Sequence, residues 1–155
     1  MAEKLSLLEQ EGEIAADYLE GLLDIADFDG DIDMDVENDR ATVSIVGADL
    51  SQLVGKKGEV LDALQELTRL AVTRETGERS RLMLDISGHR AAVKAKLIEV
   101  AKEAAAKAIE TGEEVELKPM NAFERKVVHD AIAAAGLKSE SDGVEPNRFI
   151  VVLPA

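Results

Sequence analysis

Two short constellations in this chain of 155 residues place cationic side chains where the backbone can itself hold an anion. The first is Gly55-Lys56-Lys57-Gly58. Its leading glycine can take the left-handed conformation that ends a helix, and the lack of side chains lets a sugar-phosphate backbone approach. Its second glycine falls at the start of the next helical pattern, where free N–H groups and the helix dipole favour phosphate. Lys56 and Lys57 add mobile positive charge. By itself Gly-x-x-Gly usually marks only a tight turn between helices, so its chemistry depends on what surrounds it.

The second constellation is Arg125 with His129, four residues apart on one predicted helix and hence on one face. At about 100° per residue, the apolar set Phe123, Val127, Ala131 and Ala134 points roughly the other way, which predicts an exposed pair. Arginine supplies a planar fork for phosphate. Histidine can donate to phosphate or sugar, or stack on a base.

The elements that must position these residues are legible from periodicity. Residues 5–26 read as an amphipathic helix with Ala15, Leu19, Leu22 and Ala26 recurring. From Asp27 to Glu37 acids alternate with apolar residues, the period of a strand; Asp39-Arg40 reads as a turn and Ala41–Val46 as a second strand. A short helix near 49–54 leads into the glycine turn. A longer one runs from Glu59 to about Glu75, with Val60, Leu64, Leu67 and Ala71 on one face and Gly77 as its stop. Residues 81–86 form a third strand. Then come a helix from His89 to about Ile109, with Val93, Leu97, Val100, Ala104 and Ala108 inward, and a strand at 114–117. Asn121 with Glu124 resembles a capping box opening a helix to Ala135, closed by Gly136. Strands at 137–141 and 148–153 complete the chain.

Composition narrows the function classes. Apolar residues make up 46% of the chain, which argues against disorder. No apolar run nears the roughly 20 residues of a membrane span, and the N-terminus lacks the order of a signal peptide, so a cytoplasmic protein without membrane insertion is expected. Without cysteine there are neither disulfides nor thiolate metal sites. The net charge of −14 is lopsided: residues 1–39 hold 14 of the 32 acids and a single base, Lys4. Any nucleic-acid surface is therefore expected beyond residue 40, with the acidic leader turned away.

Leu53-Val-Gly-Lys-Lys-Gly-Glu59, followed by Leu61-Asp-Ala-Leu-Gln65 and Leu67-Thr-Arg-Leu-Ala-Val72, resembles a bacterial KH domain of type II. Pro119-Met-Asn-Ala-Phe-Glu-Arg-Lys-Val-Val-His129, with Glu140-Ser-Asp-Gly143 and Glu145-Pro-Asn-Arg-Phe-Ile-Val-Val152, looks like an R-3-H domain. That tandem is similar to the Jag/KhpB family, also called SpoIIIJ-associated proteins, over roughly residues 28–153. The resemblance implies an α+β architecture: a packed leader helix at 1–26, a KH domain with a three-stranded sheet at 27–88, and an R-3-H domain of three strands and two helices at 89–155. It implies a single-stranded RNA-binding protein in post-transcriptional regulation, linked to cell division and envelope growth. The glycine turn would clamp the RNA backbone, Leu53, Val54 and the strand at 41–46 would line a groove for bases, and Arg125, His129 and Arg148 would bind in the second domain. It further implies a KhpA-like small KH partner and homo- or hetero-oligomers. The additional N-terminal Jag domain of many members is absent from this sequence. A rival reading is a protein–protein adaptor whose KH fold has lost RNA binding.

Two other signals are set aside. Asp27, Asp29, Asp31, Asp33 and Asp35 suggest calcium, but an EF-hand counted from Asp27 needs glycine where Ile32 stands and glutamate where Asn38 stands. No nucleophile motif, Walker loop or metal-ligand spacing is present, so neither an enzyme nor a cofactor is expected. His89 reads as a surface or capping residue.

Overall fold

The computed structural model describes residues 2–155, which divide into two units between Arg90 and Ala91. In the first unit α1 (Ala2–Ala26) is followed by β1 (Asp31–Glu37), β2 (Arg40–Val46), α2 (Ser51–Val54), a single 3-10 turn at Lys56–Gly58, α3 (Glu59–Thr76) and β3 (Met83–Ile86). The strands form one sheet in the order β1-β2-β3, with β1 antiparallel and β3 parallel to β2. Ala41, Val43 and Ile45 of β2 and Leu84 and Ile86 of β3 turn inward. They meet Ala15, Leu19 and Leu23 of α1 and Leu61, Leu64 and Val72 of α3 in a single core. This alternation is what a sheet with one covered face requires.

The β1–β2 hairpin closes one residue earlier than the sequence suggested. Its loop is Asn38-Asp39, both with positive φ (51° and 60°), and Glu37 faces Arg40. Two left-handed residues match the twist of the strands, and Asn and Asp tolerate that conformation better than Arg. The acidic strand also starts later, at Asp31. Asp27 has a φ of 60° and Phe28 N–H bonds to the Leu23 carbonyl at 2.9 Å, so Asp27–Gly30 turn the chain out of α1 and Asp29 is not a strand residue.

On α3 the buried stripe is Leu61, Leu64, Thr68 and Val72. It is offset from the expected one, which leaves Val60, Leu67 and Leu70 at 38%, 48% and 62% exposure. Thr68 is accommodated inside because its hydroxyl donates to the Leu64 carbonyl.

In the second unit α4 (His89–Thr111), which begins just ahead of the division, leads to β4 (Val115–Glu116), α5 (Ala122–Ala134), β5 (Ser139–Asp142) and β6 (Phe149–Val152). The sheet order is β4-β6-β5, antiparallel throughout. Ala101, Ala104, Ala105 and Ala108 of α4 lie in one core with Val128, Ile132, Ile150 and Val152. Val100, expected inside, is exposed. The capping box forms as the spacing suggests: Asn121 Oδ1 accepts from Glu124 N–H, and Glu124 Oε1 accepts from Asn121 N–H.

The face of α5 corrects the sequence reading. Its buried residues are Arg125, Val128 and Ile132, whereas Phe123 and Ala134 are exposed. Apolar residues lie on two sides of this helix, and the bulkier Val128–Ile132 pair takes the core side. Ile132→Ala is therefore expected to cost about 2–5 kcal/mol in urea denaturation. Phe123→Ala should cost under about 1 kcal/mol. Equal losses would show that the stripe is misassigned.

Candidate nucleic-acid interface

The glycine turn sits inside the crossover from β2 to parallel β3. Gly55 N–H bonds to the Ser51 carbonyl and Gly58 N–H to the Gly55 carbonyl, so the chain leaves α2 and re-enters α3 within four residues. Gly55, Lys57 and Gly58 have φ of 73°, 54° and 78°. Both glycines are further constrained by packing. A Cβ on Gly55 would lie 2.5 Å from Val60 Cγ2, and one on Gly58 would lie 2.9 Å from His89 Nε2. The room beside each glycine is thus taken by the protein's own side chains, contrary to the expectation of open space for a ligand. The glycines fix the path of the turn. What the turn presents outward is Lys56 and Lys57, both exposed and in no ion pair among the described residues.

Leu53 is 7% exposed and belongs to the core, because the single turn of α2 directs Leu50 and Leu53 inward together. It supports the turn from beneath instead of lining a groove. Val54 is half-buried, and on the strand expected beside it Thr42 and Ser44 are partly exposed while Val46 is 55% exposed.

In the second unit Arg125 is 8% exposed, so the expected exposed fork is absent. Its guanidinium donates to the Met120 carbonyl and pairs with Glu145 Oε1 at 2.6 Å. His129 is half-buried, with Nδ1 2.6 Å from Ser139 Oγ and Nε2 2.9 Å from Ser141 Oγ. A neutral imidazole donates through one nitrogen and accepts through the other, and hydroxyls can serve both roles. The two residues thus clasp the β5–β6 hairpin to α5: His129 holds β5 and Arg125 holds the loop before β6. Arg148 precedes β6, is partly buried, and its carbonyl accepts from Met120 N–H at 3.1 Å. Sequence reasoning did not single out Glu145, Ser139 or Ser141. The Ser-x-Ser spacing, which puts two hydroxyls on one strand face, was the signal available.

Asp31, Asp33 and Asp35 do share the outer face of β1, and no three His, Asp or Glu side chains among the described residues converge as a metal site. Among the same residues, no helix is long and apolar enough to cross a membrane.

Arg125→Ala is expected to lower stability by about 2 kcal/mol, since it strands the Met120 carbonyl and removes a charge-assisted bond. A double-mutant cycle with Glu145→Ala should give a coupling of about 1 kcal/mol, held down by the solvent exposure of Glu145. A coupling of zero would mean that the ion pair does not hold the loop.

A KhpA/KhpB KH-domain family model matches residues 13–84, and an R-3-H domain model matches residues 95–154. The chain is 33% identical over 141 residues to the RNA-binding protein KhpB of Clostridium symbiosum, an alignment covering 89% of this chain and 64% of that protein. It is 32% identical over 128 residues to the RNA-binding protein KhpB of Bacillus subtilis, covering 79% and 62%. For the KhpB of Lactiplantibacillus plantarum the figures are 31% over 137 residues, 88% and 42%. The chain thus spans 64% and 62% of the lengths of the first two relatives. With a KH unit and an R-3-H unit in tandem, and similarity running through both, the chain belongs to the KhpB/Jag family.

Proposed function

We propose that this chain binds single-stranded RNA by its sugar-phosphate backbone, through the Gly55–Gly58 turn of the KH unit. The observation that carries the reading is the exposed Lys56–Lys57 pair, in no ion pair among the described residues, on a left-handed path that enters the first turn of an 18-residue helix. Helix N–H groups and two ammonium groups then act on the same phosphates. Val54, with Leu53 beneath it, borders the base side. In the R-3-H unit, Arg125 and His129 act chiefly by shaping the β5–β6 surface, on which Arg148 meets the strand. Two modest contacts on one RNA gain affinity through effective concentration. Relatives named RNA-binding protein KhpB support the reading. The cellular role we infer is cytoplasmic post-transcriptional regulation, without catalysis, and tied by family resemblance to cell division and envelope growth.

A second reading, protein docking, is favoured by a different feature. Leu5, Leu8, Gly12, Met34 and Val36 line a shallow groove between α1 and β1, rimmed by Glu9, Glu13 and Asp35. It suits a basic amphipathic segment better than RNA.

Association also enters the proposal. Val60, Leu67 and Leu70 form an exposed apolar stripe along α3, a surface on which a second KH fold, from this chain or a KhpA-like protein, can dock. Leu67→Glu with Leu70→Glu is expected to turn a self-associating species into a monomer in sedimentation velocity. A wild-type chain that stays monomeric alone and with a KhpA-like partner removes this part of the proposal.

For RNA itself, Lys56→Asp with Lys57→Asp should weaken binding of a short single strand by tenfold or more. It should also flatten the log–log salt dependence by about 0.7 per lost phosphate contact. The thermal midpoint should hardly move, because both side chains are exposed. Unchanged affinity and slope in the folded variant would favour the docking reading.

A further inference from the structure

The wall beside Gly58 is a group with hydrogen-bonding capacity to spare. His89 is the first residue of α4 and half-buried, and its Nε2 and Cδ2 stand 2.9 and 3.3 Å from where a Gly58 Cβ would be. The neighbouring residue holds it there. Arg90 N–H donates to Asp85 Oδ1 at 2.9 Å, Arg90 Nε donates to the Leu84 carbonyl at 2.7 Å, and its guanidinium pairs with Asp62 of α3 at 3.1 Å. The first turn of α4 is thereby fixed to β3 and to α3 at once.

Among the described residues, neither ring nitrogen of His89 has a hydrogen-bond partner, whereas both nitrogens of His129 do. Among the same residues, no buried side-chain nitrogen or oxygen is left without a partner, so the nitrogens of His89 must reach solvent. An imidazole pinned against the second glycine, with its nitrogens reaching solvent, borders the first turn of α3, where a helix start favours phosphate.

The geometry points to His89 as a third RNA-contacting group of the turn, donating a hydrogen bond to the phosphate next to the one held by the lysines. The inference rests on the turn being the RNA-backbone contact. It adds a residue outside the Gly-x-x-Gly motif, 31 positions beyond Gly58 in the chain, and it gives the turn a directional contact besides its two mobile charges. A neutral imidazole can make this bond with one tautomer, so the contact does not require the ring to be charged.

The test uses the full chain and a short, fluorescently labelled single-stranded RNA in anisotropy titrations, with thermal midpoints measured for every variant. His89→Ala should weaken binding by about three- to tenfold, the range for one ordinary hydrogen bond at a solvent-reached site. His89→Gln, which keeps an N–H donor, should stay within about twofold of wild type. The imidazole nitrogen resonances of His89 in the wild-type protein should shift when RNA is added. The charge-reversed Lys56/Lys57 variant serves as the reference. If that variant loses binding while His89→Ala binds like wild type and the ring resonances stay still, the His89 inference is overturned and the turn remains the RNA contact. If the lysine variant binds normally, the reading of the turn falls and the inference falls with it. Should His89→Ala lower the thermal midpoint by many degrees, the glutamine variant and the ring resonances decide. A glutamine variant as weak as the alanine one, with unmoved resonances, leaves His89 as packing alone.

Discussion

The hold of Arg90 on the open edge of β3 ties strand, sheet edge and α3 together in the KH unit. β3 is paired on one side only, so without other partners the outward N–H and carbonyl of Leu84 and the carbonyl of Leu82 would be open to another chain. Gln65 Oε1 accepts from Leu84 N–H at 3.0 Å, Arg90 Nε donates to the Leu84 carbonyl, and Arg69 Nε donates to the Leu82 carbonyl at 2.7 Å. Three side chains thus complete the strand in place of a fourth strand. Two of them come from α3, the helix that the glycine turn opens. The same bonds that blunt the edge also hold that helix against β3.

The sheet order also separates the charges. Asp31, Asp33 and Asp35 lie on one edge strand, while Arg69 and Arg90 gather at the opposite edge, two strand spacings away. Two spacings amount to about 10 Å, near the Debye length of about 8 Å at physiological ionic strength. Repulsion from the acidic strand is thus largely screened at the far edge, where Glu66 and Asp62 already pair with the two arginines.

Local signals were legible in the sequence. The capping box of Asn121 and Glu124, the stop at Gly77 and the glycine turn are each decided by residues within a few positions of one another. Helix faces were less legible wherever a helix carries two apolar stripes. On α3 and α5 the periodicity allows either, and only the partner surface chooses between Leu61 and Val60 or between Val128 and Val127. Arg125 illustrates the same limit at the site. Its burial depends on Glu145, 20 residues away across a hairpin, and no local spacing announces that pairing. His89 carried no such signal either, because its neighbour is Gly58, a contact created only by the return of β3 alongside β2.

That return has a consequence for the order in which the molecule is assembled. The β1–β2 hairpin joins residues close in sequence, whereas β3 reaches β2 only after a crossover spanning residues 47–82, and pairings of that separation form slowly. The glycine turn lies within this crossover, ahead of its midpoint. During synthesis all four of its residues emerge well before the strand that orients them, and His89 and Arg90 emerge later still. A nascent chain halted ahead of Met83 lacks the parallel pairing of β2 with β3 that closes the crossover around the motif. On the RNA-binding reading proposed above, the turn gains its fixed form only with the docking of the last KH strand.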